Sequence, residues 1–157
     1  MADIVDRATR SRIMASIGPK DTVPELVLRR FLHQAGFRFR LHQRHLVGRP
    51  DLVLPRYRVV LFVHGCFWHS HEGCVAAVIP SSNRAFWKKK LVANQRRDEA
   101  QIAALRAEGW RVGIFWECAA RKGVADERTL KAVAVWIKQR SAYREFPANS
   151  ARSRPRG

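Results

Sequence analysis

Apolar residues recur along this chain at several different spacings, and each spacing predicts an element. From Thr22 onward, Val27, Leu28, Phe31, Leu32 and Ala35 fall on one helical face and Gly36 supplies a stop. A helix of about four turns fits. Phe37, Phe39 and Leu41 then alternate with Arg38, Arg40 and His42, the period of a half-exposed strand. Asp51 to Leu54 and Arg58 to Val63 are nearly continuous apolar runs separated by Pro55-Arg56-Tyr57, which predicts two neighbouring buried strands joined by a tight turn. Arg84 to Glu108 reads as helix, in one piece or two, with Phe86, Leu91, Ile102 and Leu105 apolar and Gly109 closing it. Arg111 to Trp116 is a further short strand. Asp126 caps a last amphipathic helix that carries Leu130, Val133, Ala134 and Ile137 on one face. The order helix, three strands, helix, strand, helix predicts an α/β fold, one mixed central sheet flanked by helices.

The ends of the chain have a different character. Asp6 to Ile17 is polar and basic, predicting an arm with a short helix, and Arg144 to Gly157 is rich in Arg, Ser and Pro, predicting disorder. The expected division is a basic arm over 1–20, a folded domain over 21–140 and a basic tail over 141–157. At 157 residues and 46% hydrophobic content the chain can bury one proper core. No run approaches the ~20 apolar residues of a membrane helix and no signal peptide opens the sequence, so a cytoplasmic location and no membrane partner are expected.

Charge narrows the function. Lys+Arg 30 against Asp+Glu 13 leaves +17, which for so small a domain implies a polyanionic partner, nucleic acid first. A membrane surface is disfavoured because the basic residues are spread over every segment instead of one amphipathic helix. Three cysteines make no disulfide framework, and two of them flank histidines.

The chemistry gathers in one loop, Val63-His64-Gly65-Cys66-Phe67-Trp68-His69-Ser70-His71-Glu72-Gly73-Cys74. Cys66-x4-His71-x2-Cys74 sets three soft or borderline ligands close together, and Cys118 at the end of a distant strand completes a tetrahedral zinc set. Spacing leaves the histidine open, since His69 is also within reach. The competing reading makes Cys118 an ordinary buried cysteine. Asp51 opens a buried strand, where a carboxylate is costly to place, and is the natural magnesium ligand. His64 and His69 are the proton-transfer candidates left if His71 takes the zinc.

These residues resemble the very short patch repair (Vsr) mismatch endonucleases. The likeness runs from Ala8-Thr9-Arg10-Ser11 and Asp21-Thr22 through Gly48-Arg49-Pro50-Asp51, His64-Gly65-Cys66-Phe67-Trp68-His69 and Phe86-Trp87 to Gly109-Trp110-Arg111-Val112 and Trp116-Glu117-Cys118. The resemblance implies a fold similar to restriction endonucleases with an added structural zinc, and nicking of one strand 5′ of the mispaired T at T:G mismatches left by deamination of 5-methylcytosine. It implies a monomer acting on mismatched double-stranded DNA, with a mismatch-repair matchmaker as a possible partner. Asp51 would bind Mg2+, His69 would be the general base, His64 would assist at the phosphate or leaving group, and Glu25 would face the hydration shell of the cation. Cys66, His71, Cys74 and Cys118 would hold Zn2+. Phe67, Trp68 and Trp87 would wedge into the duplex, beside backbone contacts from Arg10, Lys88 and Lys89.

Plainer alternatives stand beside these roles. Glu25 follows Thr22 at a capping-box spacing, Asp98 can orient His69 or pair with a nearby arginine, and the aromatic trio can be core. The family pattern has Thr where this chain has Val63, and Gly73 is an extra residue before Cys74. Two rival functions use many of the same features: a restriction-type endonuclease cutting both strands, and a non-catalytic zinc-containing DNA-binding protein.

Overall fold

Thr22 opens the folded part of the chain in the computed structural model, which describes residues 22–123 and 126–147. Its hydroxyl accepts from the Glu25 N–H at 3.4 Å, Pro24 sits in the first turn where a missing N–H costs nothing, and helix α1 runs Val23–Gln34. Strands β1 (Arg40–Leu41), β2 (Leu52–Leu54) and β3 (Val59–His64) follow, then helix α2 (Arg84–Ala107), β4 (Arg111–Trp116), helix α3 (Glu127–Ile137) and β5 (Tyr143–Phe146). The five strands form one mixed sheet in the order β1-β2-β3-β4-β5. The pairs β1–β2 and β2–β3 are antiparallel, and β3–β4 and β4–β5 are parallel.

Side chains alternate across a strand, so the register divides the apolar runs between two cores. Leu52, Leu54, Val59, Leu61 and Phe115 pack with Leu28 and Leu32 of α1 and with Val133 and Trp136 of α3. Val53, Val60, Phe62, Val112 and Ile114 pack on the other side with Leu105 of α2. Each fully buried leucine contributes on the order of 1.5–3 kcal/mol. Near-continuous apolar runs in β3 and β4 are what a sheet covered on both faces requires. Helix α2 is different: only Leu91 and Leu105 are buried along its 24 residues, and Lys88, Lys89, Arg96 and Arg97 face solvent. It ends where Gly109 turns to φ +88° and the Trp110 N–H bonds the Leu105 carbonyl at 3.0 Å.

Several expectations are revised. Helix α1 has 12 residues, a little over three turns, because the chain is capped at Ala35 before the last apolar position is used. The alternating stretch from Phe37 to Leu41 contributes only Arg40 and Leu41 as strand, paired with Val53 and Leu52; Phe37 instead closes the core under α1 and α3. Helix α2 is unbroken. A fifth strand lies where composition predicts a disordered tail: Tyr143–Phe146 pairs with Val112–Phe115, and Phe146 buries its ring at 5.7 Å from Trp136. The arm over 1–20 and the tail beyond Pro147 lie outside the described residues. Among the described residues no helix is long and apolar enough to cross a membrane.

Gly113 is the tightest point of the sheet. A Cβ there would lie 2.6 Å from Leu61 Cδ2 and 2.9 Å from Trp136 Cζ3, both fully buried. Gly113→Ala is therefore expected to destabilise the protein by about 1–3 kcal/mol through overpacking, measured by urea denaturation; unchanged stability would show that the Trp136 ring can shift freely.

Candidate active site and metal centre

The antiparallel pairing that builds β1 and β2 continues one residue past both, where the His42 N–H donates to the Asp51 carbonyl at 3.3 Å. On its other side Asp51 Oδ2 accepts from the Val63 N–H of β3 at 2.6 Å. Register thus sets Asp51 at the end of the sheet between two strands. Glu25 reaches the same place from α1, 2% exposed, and the ligand atoms of Glu25, His42 and Asp51 all lie within 4.8 Å of one another. Arg29, one turn along α1, donates to Glu25 Oε2 at 2.7 Å and contacts His42 Nε2 at 3.0 Å. Burial, reinforced by the neighbouring Glu25 carboxylate, pushes the Asp51 carboxyl up to about 7 from the ordinary 3.8, against the pull of the Val63 N–H. Two carboxylates pressed together out of water form an oxygen-donor set that fits a hard divalent cation, which would relieve that penalty.

His64 ends β3 and is buried. Its ring stacks on His69, centroids 3.7 Å apart and planes 8° from parallel. His69 Nδ1 lies 2.6 Å from Asp98 Oδ2 of α2. An ionised carboxylate only accepts, so Nδ1 carries the proton and Nε2 is left as the acceptor of the ring. Asp98 therefore meets His69, 29 positions away, and the arginine alternative is not the contact seen. Burial holds His64 well below the usual histidine range, with His69 adding to the effect, so His64 is a neutral ring at neutral pH. Asp51, His64, His69 and Asp98 share a cleft of about 300 Å³ whose mouth carries Arg44 and Arg49.

The loop after β3 is held by few apolar contacts. Successive turns fold it back, with the His71 N–H on the Cys66 carbonyl at 2.9 Å and the Cys74 N–H on the His71 carbonyl at 3.3 Å. Glu117, at the end of β4, accepts the Cys66 N–H at 3.0 Å. This brings Cys66, His71, Cys74 and Cys118 into a cluster with all ligand atoms within 4.8 Å, and His71 Nδ1 is 3.6 Å from Cys118 Sγ. Three thiols and one imidazole in that compass could bind zinc. Trp116 stacks flat on His71 at 4.1 Å and donates its indole N–H to Glu145 of β5 at 3.2 Å, which fixes the imidazole plane. Sharing a proton with Cys118, together with burial, drives the Cys66 thiol far up, as expected of thiols crowded without a metal. His69 lies with Asp98, away from this cluster.

Phe67, Trp68 and Trp87 meet edge to face, centroids 5.1–5.9 Å apart, and belong to neither core cluster. Trp68 is 48% exposed and Phe86, edge to face with Trp87 at 5.2 Å, is 58% exposed. Lys90 hangs over the Trp68 ring at 5.6 Å, and Lys88 and Lys89 are exposed on the same helix. Arg10 lies outside the described residues. Sequence reasoning missed His42, Arg29 and Glu117 at these sites. The one local hint was that His42 is the polar position at which an alternating stretch stops, just before the turn that leads to Asp51.

Known proteins similar to this chain point to one family. The profile of the DNA mismatch endonuclease Vsr family matches residues 2–75. The chain is 48% identical over 118 residues to the type II nicking enzyme V.XorIIP of Xanthomonas oryzae pv. oryzae, covering 75% of this chain and 86% of that protein. It is 42% identical over 139 residues to the DNA mismatch endonuclease Vsr of Escherichia coli K12, covering 87% and 88%. To the type II nicking enzyme V.NmeAIP of Neisseria meningitidis it is 40% identical over 134 residues, covering 85% and 95%. Identity at this level across most of each chain leaves one conclusion: this protein belongs to the Vsr family of DNA mismatch endonucleases and related nicking enzymes.

Proposed function

We propose that the protein is a Mg2+-dependent, zinc-stabilised nickase that cleaves 5′ of the mispaired T at T:G mismatches. The observation that carries this reading is the single cleft shared by Asp51, His64 and the His69–Asp98 pair. A cation held by Asp51, with Glu25 facing its bound water, would supply charge stabilisation at the phosphoryl oxygens when bound. The proteins's own groups do the rest. Asp98 fixes the His69 tautomer, so Nε2 is available to take a proton from the attacking water. His64, neutral and stacked on His69, assists at the phosphate or leaving oxygen as a hydrogen-bond donor and braces the base. Exposed cations along α2, and Arg10 in the arm, would hold the duplex backbone. The exposed aromatics beside them suit insertion at a step that is already poorly stacked. Zinc would tie the loop carrying His69 to the end of β4. The restriction-endonuclease likeness of the fold and action as a monomer belong to the same proposal.

The test is nicking of a duplex carrying one T:G pair against its matched T:A counterpart, with and without Mg2+. Cleavage of both strands would point to a restriction-type enzyme, and binding without cleavage to a non-catalytic module.

The purified protein should contain about one zinc per chain. Cys74→Ala should lower both metal content and melting temperature, because structural zinc binding contributes directly to folding, while His69→Ala should keep its zinc; the reverse pattern in atomic absorption would reassign the fourth ligand.

Asp51→Asn and His69→Ala should still bind mismatched DNA but nick it at least ~100-fold more slowly in single-turnover assays. Asp51→Asn should also gain stability. The folded carboxyl ionises near 7 against 3.8, so wild-type stability falls as pH rises across that window and stays low above it. Melting without divalent cations should therefore favour the Asn variant most above pH 7; equal melting temperatures there would contradict the burial penalty.

Trp68→Ala should keep the fold and zinc yet lose about 5-fold or more of the preference for T:G over T:A, from the ~1–3 kcal/mol a stacked ring supplies. Normal discrimination by a folded variant would move recognition to hydrogen bonds with the wobble pair.

A further inference from the structure

His42 has no role in the cleavage chemistry described above, yet it is held as firmly as the residues that do. Its backbone sits at φ +46°, a left-handed conformation that costs a non-glycine residue on the order of 1 kcal/mol. The bond from its N–H to the Asp51 carbonyl fixes it there. The side chain is 18% exposed and borders the same cleft as Asp51 and His69.

The ring nitrogens are told apart by their partners. Arg29 Nη2 lies 3.0 Å from Nε2, which is also 3.5 Å from Glu25 Oε2; a guanidinium has no lone pair to offer, so the Arg29 contact is a hydrogen bond in the tautomer that carries its proton on Nδ1. Nδ1 faces Asp51 Oδ1 at 3.9 Å, while the Val63 N–H is bonded to Oδ2. At 3.9 Å the two atoms face each other just beyond direct hydrogen-bond distance, and a small ring rotation would close the gap. Arg29 Nη2, also 2.7 Å from Glu25 Oε2, is shared by Glu25 and His42.

We propose that His42 is a positioning residue of the cleavage centre: an imidazole that meets Arg29 through Nε2 and turns Nδ1 toward Asp51, keeping the Glu25 and Asp51 carboxylates apart so that one divalent cation fits at Asp51 with Glu25 facing its bound water. This rests on the reading of Asp51 as a cation ligand. Without the imidazole, Arg29 Nη2 loses one of its acceptors and Asp51 loses the group that faces Oδ1, so the two carboxylates can shift from these positions.

Glutamine can replace both functions, an amide oxygen for Arg29 and an NH2 for Asp51, whereas leucine replaces neither. The zinc-loaded, full-length protein is titrated with Mn2+ without DNA, free ion being read by electron paramagnetic resonance, and nicking of a T:G duplex is followed against Mg2+ concentration. His42→Leu is expected to weaken Mn2+ binding about 10-fold or more and to raise the half-saturating Mg2+ in parallel, as loss of an outer partner of a metal ligand does. KM for DNA should stay unchanged, and His42→Gln should remain within about 3-fold of wild type on both readouts. If His42→Leu does not fold, His42→Asn, one methylene too short to span both partners, should show the same loss. Wild-type Mn2+ affinity in the Leu or Asn variant overturns the proposal. So does a Gln variant as impaired as Leu, which would make the imidazole a direct ligand. Full Mn2+ affinity in Asp51→Asn overturns the cation reading itself, whereas loss there with no change in His42→Leu overturns only the role of His42.

Discussion

A carboxylate taken out of water needs donors and a counter-charge, and the end of the sheet is organised around supplying them to Asp51. One oxygen takes the Val63 N–H at 2.6 Å, a backbone donor on the part of β3 that runs on past Leu52, where β2 begins. The counter-charge is only partly provided. Arg29 serves Glu25 and His42 first, and Asp51 remains raised to about 7. Burial places on Asp51 a penalty that a bound cation would offset. Strand register sets Asp51 there, and Glu25 and His42 are brought up beside it.

The same economy explains how charge is distributed. The chain carries +17, and four of its acids are taken up by partners at the sites: Glu25 by Arg29, Asp51 by Val63, Asp98 by His69, Glu117 by Cys66. The bases line the solvent face of α2, which contributes only two buried side chains to the core. Pairing acids inside and leaving cations outside concentrates positive potential where a duplex would lie. In the loop that carries His69 and the exposed aromatics, Cys66, His71 and Cys74 converge on Cys118 at the end of β4.

Where one element sufficed to encode a feature, it was legible. β4 runs Arg111–Trp116 as its apolar run indicates, and Asp126 caps α3 by accepting from the Arg128 and Thr129 N–H groups at 3.2 and 3.5 Å. Features that depend on a distant partner were not. Tyr143–Phe146 reads as the start of a basic tail until β4 pairs with it and Trp136 covers Phe146. Phe37 to Leu41 alternates well enough for a full strand, but only Arg40 and Leu41 pair with β2, and Phe37 turns into the core. His42 looked like an exposed strand position because nothing local announces that Glu25, Arg29 and Asp51 will surround it.

The sequence by itself determined the alternation of helix and strand, the cationic character that implies a polyanionic partner, and which ligand types stand close along the chain. Spacing and composition carry that information because periodicity and side-chain chemistry are local properties. Tertiary structure alone decided that His71 turns to Cys118 while His69 turns to Asp98, that His64 stacks on His69, and that His42 joins Glu25 and Asp51. Those choices depend on which strand ends and helix faces meet, and that is set by long-range register and by two cores on opposite faces of one sheet, which no window of sequence contains.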